Sequence, residues 1–205
     1  MVSSQVKNVV FDIGNVMVRW SPHEIVRLTF GDGDETERTA TEIFQSSIWL
    51  DLNKGLLTEP EAKTRYQAAL GLSALECERL FYYVKQTQIL LYGSESLLKR
   101  VKAAGYRVYA LTDNVHEIVE FLQSTYRFWS LFDGATVSAD LGLLKPQPEI
   151  YQSLLTQHKI EAVETVFIDD MPHNIAGAEA VGLYGIQYKN AAQCEADLKA
   201  LGLAF

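Results

Sequence analysis

The sequence predicts an α/β fold: a parallel sheet core flanked by helices, with a helical bundle inserted after the first strand. Three observations predict it. First, three apolar runs end abruptly in acidic or hydroxyl residues: VVF before Asp12, VYAL before Thr112-Asp113, and TVFI before Asp169-Asp170. Such runs, rich in Val and Ile and bounded by turn residues, read as strands buried on both faces. Second, strand and helix signals alternate from about Gly93 onward, as parallel strands joined by crossovers require. Third, from Ser21 to about Tyr92 the chain reads helical throughout.

The first strand is expected from about Gln5 to Phe11. Ser21-Pro22 is an N-cap followed by proline at the first helical position. Asp34 with Glu37, Thr58 with Glu61, and Ser73 with Glu76 have capping-box spacing, with Asp34 the looser fit because the box prefers Ser or Thr. Gly71 is a stop for the helix ending near Leu70. These signals predict three or four helices in the insert.

Leu97, Leu98, Val101 and Ala104 then share one helical face, Gly105 ends that helix, and Tyr106 to Leu111 follows as a strand. Val115, Ile118, Val119 and Leu122 have amphipathic helical spacing. Ala135 to Val137 reads as a short strand, and Pro148 starts a helix carrying Ile150, Leu154 and Leu155. Thr165 to Ile168 is a strand, Asn174 to Val181 a helix closed by Gly182, and Tyr184 to Tyr188 a further strand. The last helix holds Leu198 and Leu201. The core is thus expected from residues 1–17 plus 93–205, and the helical cap from residues 18–92.

The 205 residues suit one domain of roughly 150 residues plus a smaller insert. The 48% hydrophobic and 21% charged fractions are those of a globular protein that buries a core. A net charge of −8 without a basic stripe argues against nucleic acid or an anionic membrane as partner. For an anionic substrate, positive charge must come from a metal, a lysine or backbone N–H groups. Cys77 and Cys194 are far apart without metal-ligand spacing, which fits a reducing cytoplasm. No signal peptide or membrane span is expected from the N-terminal sequence. A monomer or a homodimer fits equally.

Three strands side by side would gather Asp12, Asp113, Asp169, Asp170 and the Thr112 hydroxyl at one sheet edge, where open α/β sheets bind ligands. Crowded carboxylates need a cation or a proton to offset their repulsion. Asp12 alone is equally readable as a turn aspartate. It is followed by Ile13-Gly14-Asn15, a turn whose N–H groups can face an anion. Asp169 and Asp170 precede a helix that either could cap, but beside Asp12 they read better as a hard oxygen site for Mg²⁺. Thr112 and the Asp113 N–H make a small anion cradle, or an N-cap for the helix of Val115, or both. Lys145, in GLLKPQPEIY, is held extended by the following proline, where its ammonium can neutralise phosphate and carboxylates together. By itself it reads as a surface lysine. His116 and His173 follow these segments and can face the site; His158 reads as a surface residue near a helix end. Trp20 and Trp49 read as core of the insert.

VVFDIGNV, ALTDN, GLLKPQPEIY and VFIDDMPHNIAGA, in this order, resemble the four motifs of the haloacid dehalogenase superfamily. The helical insert sits where that family places its type-1 cap on a Rossmann-like core. The FDIGNV form is most similar to the subgroup of α-D-glucose-1-phosphate phosphatases and the phosphatase domain of soluble epoxide hydrolases. The resemblance implies a phosphatase for a small phosphorylated metabolite, a sugar phosphate among them. Asp12 would be the nucleophile that becomes an aspartyl-phosphate. Mg²⁺ would be held by Asp12, the Gly14 carbonyl and Asp170, with Asp169 in support. Ile13, Gly14, Thr112, Asp113 and Lys145 would surround the phosphoryl group, with Thr112 and Lys145 aiding catalysis.

One position departs from the wider phosphatase pattern. The second residue after the nucleophile, usually an acid–base aspartate, is Gly14. Losing general acid–base help costs about 10²–10⁴ in rate. A water-mediated relay through Asp113 or His116, or a leaving group that needs little protonation, would compensate. Two other readings use the same residues: a metal-independent 2-haloacid dehalogenase, and a non-catalytic member that keeps the fold. The acidic pair at 169–170 argues for the metal site over the former. The substrate is not legible; cap positions near Arg19, Trp20, Trp49 and Lys54-Gly55 would select it.

Overall fold

The computed structural model describes residues 6–205. Five parallel strands, β1 (Asn8–Phe11), β2 (Arg107–Thr112), β3 (Gly134–Val137), β4 (Thr165–Asp169) and β5 (Tyr184–Gln187), form one sheet in the order β3-β2-β1-β4-β5. Each expected strand is present, with ends shifted by a few residues. The expected start of β1 at Gln5 lies outside the described residues.

Side chains alternate across the sheet, as period two demands. Val9, Phe11, Val108, Ala110, Val166 and Ile168 face one apolar cluster; Val10, Tyr109, Leu111 and Phe167 face another. Helices cover both faces. On the first lie α6 (Ser94–Ala103), α7 (His116–Thr125) and α11 (Ala191–Ala200), through Leu97, Ile118 and Leu198. On the second lie α9 (Pro148–His158) and α10 (Pro172–Ala180), through Tyr151 and Ile175.

Between β1 and α6 stand five helices, one more than the upper expectation: α1 (Pro22–Phe30), α2 (Thr36–Phe44), α3 (Ser47–Asn53), α4 (Glu59–Leu70) and α5 (Ala74–Gln86). Ser21, Thr58 and Ser73 cap as their spacing predicts, the latter two as full capping boxes, and Gly71 ends α4 at φ 69°. The Asp34–Glu37 box does not form. Glu35 occupies the cap of α2 without a side-chain bond, and Thr36 turns its hydroxyl to the Gly33 carbonyl instead. The additional helix begins at Ser46, whose hydroxyl accepts from the Trp49 N–H.

The two crossings into and out of this helical segment are tied together. Arg19 N–H donates to the Ile89 carbonyl at 2.8 Å, and Leu91 N–H to Met17 at 2.9 Å. At the far end, the α3–α4 turn docks on α8 (Ser138–Leu141), a short helix the sequence does not announce. Ser138 Oγ donates to the Asn53 carbonyl at 2.6 Å and accepts from the Asn114 N–H at 2.8 Å. Gly55, at φ 67°, comes so near that a Cβ there would stand 2.2 Å from the Ala139 carbonyl oxygen. Glu117 of α7 accepts from the Glu59 N–H at the start of α4. His158 is half-buried rather than at the surface. Its ring stacks on Tyr109 at 4.5 Å and lies 3.1 Å from Thr136 Oγ1, and burial pushes its pKa down.

Candidate active site

The parallel register brings the acidic residues together. Phe11 pairs with Ala110 on one side and Ile168 on the other, so Asp12 leaves the sheet beside Leu111 and Asp169. The Asp12 N–H still donates to the Ile168 carbonyl at 2.9 Å. Carboxylate oxygens of Asp12, Asp169 and Asp170 lie within 4.8 Å of one another. The Lys145 ammonium joins them, 2.9 Å from Asp12 Oδ1 and 2.7 Å from Asp169 Oδ2.

Lys145 is not the surface lysine that its sequence surroundings allow. It is buried, and its backbone N–H donates to both Asp113 carboxylate oxygens, at 3.1 and 3.2 Å. Gly177 of α10 admits the loop behind it: a Cβ there would lie 2.8 Å from Pro146 Cβ and 2.9 Å from the Pro146 carbonyl oxygen. Burial alone would lower the Lys145 pKa, but Asp12, Asp169 and Asp113 outweigh it and hold the ammonium above its ordinary value.

The carboxylates respond to the same crowding. Burial, with Asp169 adding to it, pushes Asp12 up to about 8 against the opposing pull of Lys145. Burial also raises Asp113 and Asp170. One ammonium therefore does not balance the four carboxylates. Asp169 is satisfied by protein donors: Lys145 Nζ, the Met171 N–H at 2.8 Å and Asn174 Nδ2 at 3.1 Å. Asp170 accepts one side-chain hydrogen bond, from Asn15 Nδ2 at 3.2 Å. Hard oxygens, an unbalanced negative charge and a raised Asp12 together fit a divalent cation such as Mg²⁺. Asp12 and Asp170 are the carboxylates with oxygens to spare for it, and Gly14 lines the same cavity.

That cavity holds about 410 Å³. Asp12, Asp113, Lys145, Asp170 and His173 all line it. Thr112 is buried at the end of β2, and Ile13 is buried in the turn. The helix expected to take Thr112 or Asp113 as its cap starts later, at His116, with Val115 at the cap and no side-chain bond. His116 does not line the cavity; its ring lies 3.4 Å from Asp140 on an exposed face.

Trp49 belongs to the apolar core as expected and half-buried Trp20 packs against it, yet both also line the cavity, stacked at 5.6 Å and 15°. Two asparagines were not singled out by sequence reasoning. Asn15 sits at φ 51°, a backbone state that Asn tolerates better than most residues, and Asn174 holds both oxygens of Asp169. The available signals were an Asn directly after Gly14 and an Asn one helical turn beyond the acidic pair.

Comparison with known proteins places this geometry. Residues 6–182 match the family described as haloacid dehalogenase-like hydrolase. Sesquiterpene phosphatase astK of Aspergillus oryzae is 30% identical over 183 residues, 88% of each chain. D-ribitol-5-phosphate phosphatase of Bacteroides thetaiotaomicron is 25% identical over 205 residues, 94% of this chain and 97% of its own. A solved HAD family enzyme from Bacteroides thetaiotaomicron, in complex with magnesium and inorganic phosphate, superposes with a TM-score of 0.75 at 23% identity, covering 90% of this chain and 95% of its own. That last likeness shows a shared fold.

Proposed function

Because the chain belongs to the haloacid dehalogenase-like hydrolase family, we propose that it is a Mg²⁺-dependent phosphatase of a small phosphorylated metabolite, working through an aspartyl-phosphate on Asp12. The observation that carries this reading is the cluster of buried Asp12 and Asp169, paired with the single ammonium of Lys145, with half-buried Asp170 beside them. Two relatives named as phosphatases support the same chemistry.

In this reading Asp12, the Gly14 carbonyl and Asp170 hold the cation, and Asp169 fixes Lys145. Bound Mg²⁺ supplies positive charge to the phosphoryl oxygens. Lys145 adds its own charge at the nucleophile, so that an anionic phosphate can approach an anionic carboxylate. A carboxylate oxygen of Asp12 forms a bond to phosphorus as the bond to the alcohol oxygen breaks, and the alkoxide takes a proton. Water then attacks phosphorus, the bond to Asp12 breaks, and inorganic phosphate leaves with Asp12 restored.

Gly14 brings no proton donor to this sequence. With Asp12, Asp170 and Lys145 assigned, Asp113 and His173 are the ionisable side chains left in the cavity lining. We assign the proton relay to them, through water, in place of His116. Helices α1 to α5 act as the cap, which docks through Asn53 and Gly55 on α8 and shields the reaction from water. The two free cysteines, both buried, accord with a cytoplasmic enzyme.

Hydrolysis of p-nitrophenyl phosphate that requires Mg²⁺ and stops with EDTA is the expected result. Absence of turnover on a broad panel of phosphate monoesters with Mg²⁺ would defeat the proposal. Halide release from a 2-haloacid that survives EDTA would favour a dehalogenase instead.

A further inference from the structure

We infer that the alcohol half of the substrate is uncharged and mainly apolar, a prenyl, alkyl or aryl alcohol, in preference to a polyol or a second anion. This rests on the phosphatase reading and narrows it.

The cavity divides by chemistry. Of its ionisable side chains, Asp12, Asp113 and Asp170 follow strand ends, Lys145 comes from the loop after α8 and His173 from the first turn of α10. The rest of the wall combines the apolar side chains Trp20, Phe44, Trp49 and Leu50 of the helical segment, with Leu144 and Met171, and five uncharged amides. Phe44 meets both tryptophans edge-on, at 5.3 and 4.9 Å, and so packs against the stacked pair. No arginine and no lysine other than Lys145 lines this cavity among the described residues. A second phosphate or carboxylate on the leaving group would lose its hydration there without a cationic partner.

Three of the amides in the wall are partly engaged by backbone. Asn53 Nδ2 donates to its own helix at the Trp49 carbonyl, 2.8 Å away, and Gln88 Nε2 to the Val84 carbonyl at 3.0 Å. Asn114 Oδ1 accepts from the next N–H in the chain, that of Val115, at 2.9 Å. Each gives one of its hydrogen bonds to backbone, so fewer remain for the several hydroxyls of a polyol than those hydroxyls make in water. Aromatic and aliphatic walls instead reward each methylene they cover, by about fourfold in kcat/KM at most.

The test compares kcat/KM, with Mg²⁺, for acetyl phosphate, a graded series of alkyl monophosphates, a prenyl monophosphate, ribitol 5-phosphate and 3-phosphoglycerate. The expected result is a rise along the alkyl series and a preference of about tenfold or more for the prenyl ester over ribitol 5-phosphate. Leu50 is 42% exposed, so Leu50→Arg can be made without opening the core. It should lower the ratio of prenyl ester to 3-phosphoglycerate by about tenfold. Faster turnover of ribitol 5-phosphate or 3-phosphoglycerate than of the prenyl ester would overturn the inference while leaving the phosphatase reading intact. Turnover of none of the esters, acetyl phosphate included, would overturn both.

Discussion

Asn15 donates from Nδ2 to Asp170 Oδ2 at 3.2 Å, while its Oδ1 accepts from the Trp20 N–H at 2.9 Å. One side chain thus joins a proposed metal ligand to the first residues of the helical segment. Asn15→Gly keeps the φ 51° backbone open to the chain and removes both bonds. The expected outcome is a rise of about tenfold in the Mg²⁺ concentration for half-maximal activity, with the fold retained. A magnesium titration of activity, with a thermal melt alongside, checks it.

Asp12 makes the metal-free protein sensitive to pH. An unfolded aspartate loses its proton near pH 3.9, whereas burial holds the folded Asp12 proton up to about 8. Between those values the folded state binds more protons, so this group lowers stability progressively as pH rises through the window, and the loss is complete above it. Asp12→Asn stays neutral at every pH. The variant should melt about 5 °C or more above the wild type near pH 8 without metal, and the gap should close toward about pH 4. Parallel melts in EDTA across that range measure it.

The strand ends are legible in the sequence for a physical reason. A strand buried on both faces must stay apolar until it leaves the sheet, so the first polar residues mark the edge, and Asp12, Thr112 and Asp169 stand there. What register supplies is invisible to a one-dimensional reading. Asn174 reaches Asp169, and Lys145 reaches Asp12, only once β1, β4 and the loop after α8 are side by side. Helix breaks show the same limit. Thr58 and Ser73 cap because their partners lie within one turn, whereas no Gly or Pro separates α2 from α3, and the Asp34–Glu37 spacing occurs without a box.

Docking of the α3–α4 turn depends on Gly55. Any Cβ there would meet the Ala139 carbonyl oxygen at 2.2 Å and require a left-handed backbone. Gly55→Ala should push the turn off α8 and weaken the Ser138–Asn53 hydrogen bond. We expect a stability loss of about 1–3 kcal/mol and a kcat/KM reduced by about tenfold or more for bulky esters, with a smaller effect on acetyl phosphate. Denaturant unfolding together with kinetics on the two ester classes reads both.

His173 lies in the cavity lining beside Asp113, whose carboxyl feels its charge. If it relays a proton to the departing alkoxide, His173→Asn should slow an alkyl phosphate by about 10². Hydrolysis of p-nitrophenyl phosphate, whose leaving group needs no proton, should change little. Equal slowing of both esters would assign the histidine to binding instead.

A covalent phosphoryl group on the β1 aspartate is the point on which the whole account turns. Acid-quenching the enzyme during steady-state turnover with Mg²⁺, followed by peptide mass spectrometry, reads it directly. The account predicts a phosphoryl adduct on the peptide containing Asp12, absent from Asp12→Asn. Rapid turnover without any adduct, or an adduct on another residue, would contradict it.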